Sequence, residues 1–171
     1  ASGTVIVKDI RSGSTGSYPS SLTAVGNTLY FVANDGINGY ELWKSDGTAS
    51  GTVMVKDINS GGTVTYPAGS SPLSLTAVGN TLYFVANDGI NGHELWKSDG
   101  TASGTVMVKD IRPGGSNSGI PYLTPIGNIL YFQADDGTNG RELWKSDGTA
   151  SGTVMVKNIN SGSGDGCCGD I

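Results

Sequence analysis

The chain has 171 residues, 36% of them hydrophobic, only 15% charged and 28 of them glycine, with a formal net charge of −5. That balance suits one packed domain or a short array of repeated units and argues against wholesale disorder. Ten Lys plus Arg against fifteen Asp plus Glu do not make a phosphate-binding surface, so no nucleic-acid partner is expected.

Residues 1–10 (ASGTVIVKDI) match residues 49–58 in all but one position and read as a lone copy of a repeat's last strand. Residues 21–25 (SLTAV) form the next strand, closed by a Gly26-Asn27 turn. Residues 27–33 (NTLYFVA), rich in aromatic and branched side chains, follow and stop at Asn34-Asp35-Gly36. Residues 40–44 (YELWK) alternate and are closed by Ser45-Asp46-Gly47-Thr48, and residues 52–58 (TVMVKDI) supply a fourth strand. Glycine interrupts every long window, which leaves no room for a helix.

The same order returns. Residues 22–58 recur as 75–111 with one change, Tyr40 to His93, and a more drifted copy occupies 123–159. The tryptophans Trp43, Trp96 and Trp144 are spaced 53 and 48 residues apart, and the difference lies in the linker between repeats. The chain therefore divides into a lone strand (1–10), three repeats (11–58, 59–111 and 112–160) and a Gly/Cys-rich tail (161–171). Four short antiparallel strands per unit is the size of a propeller blade, so the expected fold is all-β, with three four-stranded propeller-like units after an extra N-terminal strand. A β-solenoid is the alternative, although its coils are usually shorter than 48 residues. A single small sheet cannot bury both faces, so the units must stack. Leu29, Phe31, Leu42, Trp43 and Val53 with their equivalents, among them Phe84, Phe132, Trp96 and Trp144, are expected between them.

Candidate chemistry is sparse. Asp46-Gly47-Thr48 recurs as Asp99-Gly100-Thr101 and Asp147-Gly148-Thr149. An active site has no reason to occur three times, whereas each hairpin needs Asp and Thr to satisfy its free amides, so these residues read as structural turns. Asn34, Asp35, Asn38 and Glu41 gather oxygens as calcium sites do, and the third copy has Asp135, Asp136, Asn139 and Glu142. Their spacing is not that of an EF-hand, and Asx-type turns explain them as well. Calcium stays an alternative with no ligands assigned, and no other cofactor is expected. Tyr30, Trp43 and Tyr40 have rings that stack on sugars but that also fill space between units. The position occupied by Tyr40, His93 and Arg141 changes chemistry between copies, so it is expected to face solvent, where it is a candidate recognition position. With one histidine, neither a catalytic triad nor a zinc site can be assembled. Cys167 and Cys168 are adjacent, too close for an ordinary bridge with Cα atoms about 5.5 Å apart. A disulfide to a neighbouring chain or to a part of the same protein outside this segment, or a strained vicinal one, is expected, with free thiols the alternative.

Glu41-Leu42-Trp43 followed by Asp46-Gly47-Thr48, with the same residues at 94–101 and 142–149, resembles the ELWxxDGT repeat family. The resemblance covers residues 1 to about 160. It implies propeller-like blades in secreted or surface proteins of bacteria, and it carries no catalytic residues.

The reading is therefore of a secreted, non-enzymatic structural or adhesive repeat protein of the cell surface. It is expected to self-associate through stacking and strand pairing, as a ring or a head-to-tail filament. The alternative is a carbohydrate- or protein-binding propeller using Tyr40, His93 and Arg141, with glycans as partners. No apolar run spans a membrane. Any leader is expected to have been removed or to lie outside the segment.

Overall fold

The computed structural model describes residues 3–63, 67–161 and 164. Within them the chain is all-β. Its strands are β1 (Ser20–Val25), β2 (Thr28–Asn34), β3 (Tyr40–Ser45), β4 (Val53–Lys56), β5 (Leu73–Val78), β6 (Thr81–Asn87), β7 (His93–Ser98), β8 (Val106–Lys109), β9 (Thr124–Ile126), β10 (Ile129–Asp135), β11 (Arg141–Ser146) and β12 (Val154–Lys157). They form three antiparallel sheets of four strands, β1 to β4, β5 to β8 and β9 to β12, each a meander in chain order. The first strands are neighbours, β1 beside β5 and β5 beside β9. The sheets do not close on themselves, so the likeness to a propeller is that of single blades.

The repeat of sequence is a repeat of register. Phe31 lies opposite Trp43, Phe84 opposite Trp96 and Phe132 opposite Trp144. Such cross-strand aromatic pairs are among the stronger contributors to sheet stability. The bulge between Leu42 and Trp43 recurs at Leu95/Trp96 and Leu143/Trp144. β9 is the shortest first strand and carries Pro125. A proline lacks the ladder N–H and is tolerated there because β9 is an edge strand.

Alternating side chains point to opposite faces of a strand, and here both faces of the middle sheet are covered. Val25, Tyr30, Leu42, Val55 and Ile58 of the first unit pack against Leu82, Phe84, Ala86 and Trp96 of the second. Tyr83, Leu95, Val108 and Ile111 of the second pack against Leu123, Leu130, Phe132, Ala134 and Trp144 of the third. The core is thus two slabs between three sheets, with a smaller cluster of Phe31, Ala33 and Trp43 on the first sheet's outer face.

Two core expectations need correction. Leu29 is 36% exposed whereas its equivalent Leu82 is 0%: its face of the first sheet has no preceding sheet against it. Val53 is only half-buried, because it pairs with Lys44 at the start of β4, and Val55 takes the buried place. Residues 4–10, expected within a lone strand, pair with no strand among the described residues; Lys8 and Ile10 dock on the first sheet instead. Val5 and Ile6 are 82% and 80% exposed. Ile10 nevertheless packs on Phe31, Ala33 and Trp43, as Ile58 does on the second sheet.

Candidate functional site

The chemistry of this chain is concentrated in the joints between units. The glutamate of each Glu-Leu-Trp run is fully buried. The Glu41 carboxylate accepts the N–H groups of Ile58 (3.3 Å) and Asn59 (3.4 Å), where the chain leaves β4. It also accepts the N–H of Ser70 (2.7 Å) and the Ser70 hydroxyl, at the entry to the next unit. Glu94 repeats part of the arrangement, accepting the N–H groups of Ile111 (3.0 Å) and Arg112 (3.4 Å), while the Ser118 N–H (3.1 Å) and hydroxyl (3.0 Å) donate to His93 O beside it. Burial pushes the Glu94 carboxyl up to about 7, although bonds from Ile111, Ser118 and Arg112 oppose the shift and nearby Asp110 adds to it. Burial likewise raises Glu41, against the Ser70, Ile58 and Asn59 hydrogen bonds. A buried carboxylate is retained only where it is well paired, and here the partners are the backbone of two successive units.

Lysines make the second set of links. Lys44 Nζ donates to Gly100 O (2.8 Å) and Lys97 Nζ to Gly148 O (2.9 Å). Lys56 Nζ donates to Thr105 O (2.9 Å) and Lys109 Nζ to Thr153 O (2.8 Å). Lys56 also lies 5.9 Å from the Trp96 ring centre, and Lys109 5.7 Å from that of Trp144. The Asp-Gly-Thr turn is therefore a docking point as well as a hairpin. Gly100 and Gly148 have φ near +88° and +87°, and a side chain on either would collide with the hydroxyl of Tyr30 or Tyr83 from the preceding sheet. Within each turn, Thr48 N–H and Oγ1 donate to Asp46 Oδ1 (2.9 and 2.7 Å), with equal geometry at Asp99/Thr101 and Asp147/Thr149. The Thr hydroxyl first, then its amide, holds these carboxyls below their ordinary range.

Both ends of the stack present half of such a joint. On the third sheet, Glu142 is buried and accepts from Ile159 (3.2 Å) and Asn160 (3.4 Å) through Oε1, but Oε2 has no partner among the described residues. Lys145 and Lys157 are exposed there, and Ile159 is 60% exposed whereas Ile58 is 8% and Ile111 3%. On the first sheet, the space around Gly47 is open where Gly100 and Gly148 meet a tyrosine. Lys8 Nζ donates to Thr52 O (2.7 Å), so residues 4–10 hold the place that the end of the first unit holds on the second.

The other sequence-selected residues fall outside these joints. Asp35 Oδ1 accepts the N–H groups of Ile37 and Asn38 (both 2.8 Å), and Oδ2 accepts Asn38 Nδ2 (2.7 Å). The oxygens of this turn are thus committed to its own amides, while Glu41 points to the joint. Among the described residues no three His, Cys, Asp or Glu side chains are grouped to hold a metal. Tyr30 is buried between the first two sheets, and Trp43 is buried on the first sheet's other face with Phe31, Ala33 and Ile10, so neither ring is presented to solvent. Tyr40, His93 and Arg141 begin β3, β7 and β11. His93 is tied to the linker, its N–H donating to Asn117 Oδ1 (2.8 Å). Cys167 and Cys168 lie outside the described residues. Sequence reasoning missed the glutamates and lysines of the joints. The signal was available: a chain only 15% charged keeps one glutamate and two lysines at fixed strand positions in all three copies.

Fold and joints define a class, an all-β array of stacked four-stranded units whose polar residues serve the stacking. No family model matches the sequence, and no curated protein matches it. Among solved structures the chain is similar to the computationally designed Ika8 protein (18% identity, TM-score 0.39, 81% of this chain and 36% of that one). It is also similar to the designed Ika4 protein (20%, 0.39, 74% and 64%). A third is an alpha-L-arabinofuranosidase from Clostridium thermocellum (15%, 0.34, 92% and 55%). The chain spans less than two thirds of the length of each.

Proposed function

We propose that this is a non-enzymatic, extracellular structural or adhesive repeat protein that works by stacking its units with those of other copies. The observation that carries the reading is the outer face of the third sheet. Ile126, Leu143, Val156 and Ile159 are exposed there, whereas Val25, Leu42, Val55 and Ile58 are buried in the first joint. A contiguous apolar face rimmed by lysines is the mark of an interaction surface. The ELWxxDGT-like repeats and the Ser/Thr/Gly-rich exterior are in keeping with a secreted building block. Sedimentation velocity over a concentration series tests the reading: association above the 17.4 kDa monomer is expected, and a monodisperse monomer at every concentration overturns it.

A second reading, recognition of a glycan or protein, is favoured by the register of Tyr40, His93 and Arg141, which occupy the first position of equivalent strands with three different side chains. Glycan-array binding abolished by replacing all three with alanine would support it, and absence of any ligand on the array would remove glycans as that partner.

A further inference from the structure

The third sheet's outer face and the first sheet's outer face are the two halves of the joint that occurs twice inside the chain. We infer that the Glu142 face of one copy docks on the first sheet of a second copy, whose residues 4–10 give up their place to β12 and Ile159 of the first. This deepens the assembly reading and rests on it.

Three independent correspondences select a second copy as the occupant. First, Ser17, Ser70 and Ser118 are equivalent: their carbonyls accept the N–H groups of Asn34 (2.9 Å), Asn87 (3.0 Å) and Asp135 (2.8 Å). Ser70 also donates its N–H and hydroxyl to the glutamate of the preceding unit. Among the described residues no glutamate bonds to Ser17, and Glu142 Oε2 is buried without a donor. Each supplies what the other lacks. Second, Tyr131 and Lys145 stand where Tyr83 and Lys97 reach Gly148, and Gly47 is open to receive them. Third, Ile126, Leu143 and Val156 on one face match Leu22 and Leu29 on the other, all exposed, whereas Leu75 is half-buried and Leu82 fully buried in the internal joint.

Residues 4–10 occupy this surface poorly. Among the described residues they hold it through the Lys8 hydrogen bond and the packing of Ile10, and an apolar cleft lined by Val7, Ile10, Leu22, Leu29 and Phe31 stays open beside them. Their exchange for the residue 153–159 segment of another copy breaks no strand pairing. It replaces Lys8 by Lys157 at Thr52 O and Ile10 by Ile159 on Phe31 and Trp43, and it brings a whole sheet face. The opposite exchange, residues 4–10 replacing β12, would break the β11–β12 ladder.

The test uses the full chain with K8A/I10S, which frees the placeholder, compared with wild type by sedimentation velocity. The apparent dissociation constant is expected to fall about tenfold. Weaker or unchanged association overturns the inference, and if the wild type still associates, the assembly reading survives it. Absence of association in both proteins overturns both. Complementation gives a second readout that does not depend on that variant. S17A and E142A should each associate about tenfold more weakly alone, while an equimolar mixture restores dimers but not longer species, because only one intact junction can form. A mixture no better than either variant overturns the inference.

Discussion

Glu41 and Ser70 stand 29 residues apart on either side of a joint, and the carboxylate of the first accepts both the amide (2.7 Å) and the hydroxyl of the second. The same carboxylate also takes the amides of Ile58 and Asn59. One side chain thus fixes where one unit ends and where the next begins. Removing it leaves several buried donors without an acceptor, each costing about 1–3 kcal/mol. Glu41→Ala is therefore expected to lower unfolding free energy by about 3 kcal/mol or more in urea titrations followed by tryptophan fluorescence. Glu142→Ala, with fewer partners, should cost clearly less.

Acidity acts on the joints in a calculable direction. The native Glu94 carboxyl is raised from 4.5 to about 7, and Glu41 is raised as well. At each site the folded chain binds more protons than the unfolded one above pH 4.5, so the contribution to stability is full below that pH; that of Glu94 is lost as pH rises toward 7, and that of Glu41 likewise declines as pH rises. Asp35, Asp88 and Asp136 behave oppositely. Burial raises each, but their turn hydrogen bonds outweigh it and leave them below 3.8. Their contribution is lost as pH falls below that value. Thermal melts from pH 3 to pH 8 are expected to peak between about 4 and 5, and Glu94→Gln should flatten the decline above the peak. A melting temperature rising steadily to pH 8 would contradict the assignment.

Identical residues in identical local sequence should carry unequal energies. Leu82→Ala empties a fully buried site and is expected to cost about 2–5 kcal/mol. Leu29→Ala, made in the same LYFVAND run but on the uncovered face, should cost under about 1 kcal/mol. Equal effects in chemical denaturation would mean that the first sheet is covered in solution as the second is.

Gly69 and Gly79 offer a contrast of backbone approach. A Cβ on Gly69 would lie 2.9 Å from Tyr40 O and closer still to Tyr40 N, so the linker could not lie against the first sheet. Gly79 has φ +57° and open space around it, where alanine pays only the left-handed penalty of about 1–2 kcal/mol. Gly69→Ala is expected to be the more damaging, and to loosen the first joint selectively. Hydrogen exchange of the Ser70 and Ser71 amides, which bond to Glu41 and Tyr40, reads that loss directly.

The strands, their order and the turns were legible because their causes are local. Tyr30-Phe31-Val32 between Gly-Asn and Asn-Asp-Gly can do little but pair, and Asp46 with Thr48 closes its own hairpin. Phe31 and Trp43 could be placed in the core for the same reason. The joints were harder to see because their partners are distant in sequence. Glu41 reads as a turn residue until Ser70 is beside it, and Lys44 reads as a solvated strand end until it meets Gly100 O. Leu29 was misplaced because periodicity tells which face a side chain takes, not whether another sheet covers that face.

Sequence alone therefore determined the unit: four short strands, three times over, with turns that satisfy their own amides, since these follow from contacts within a few dozen residues. The tertiary structure alone decided which of three equivalent positions is buried. Leu42, Leu95 and Leu143 share one local context, yet only the first two are fully buried. The reason is that burial here comes from the neighbouring sheet, and no property of a repeat records whether a neighbour is present.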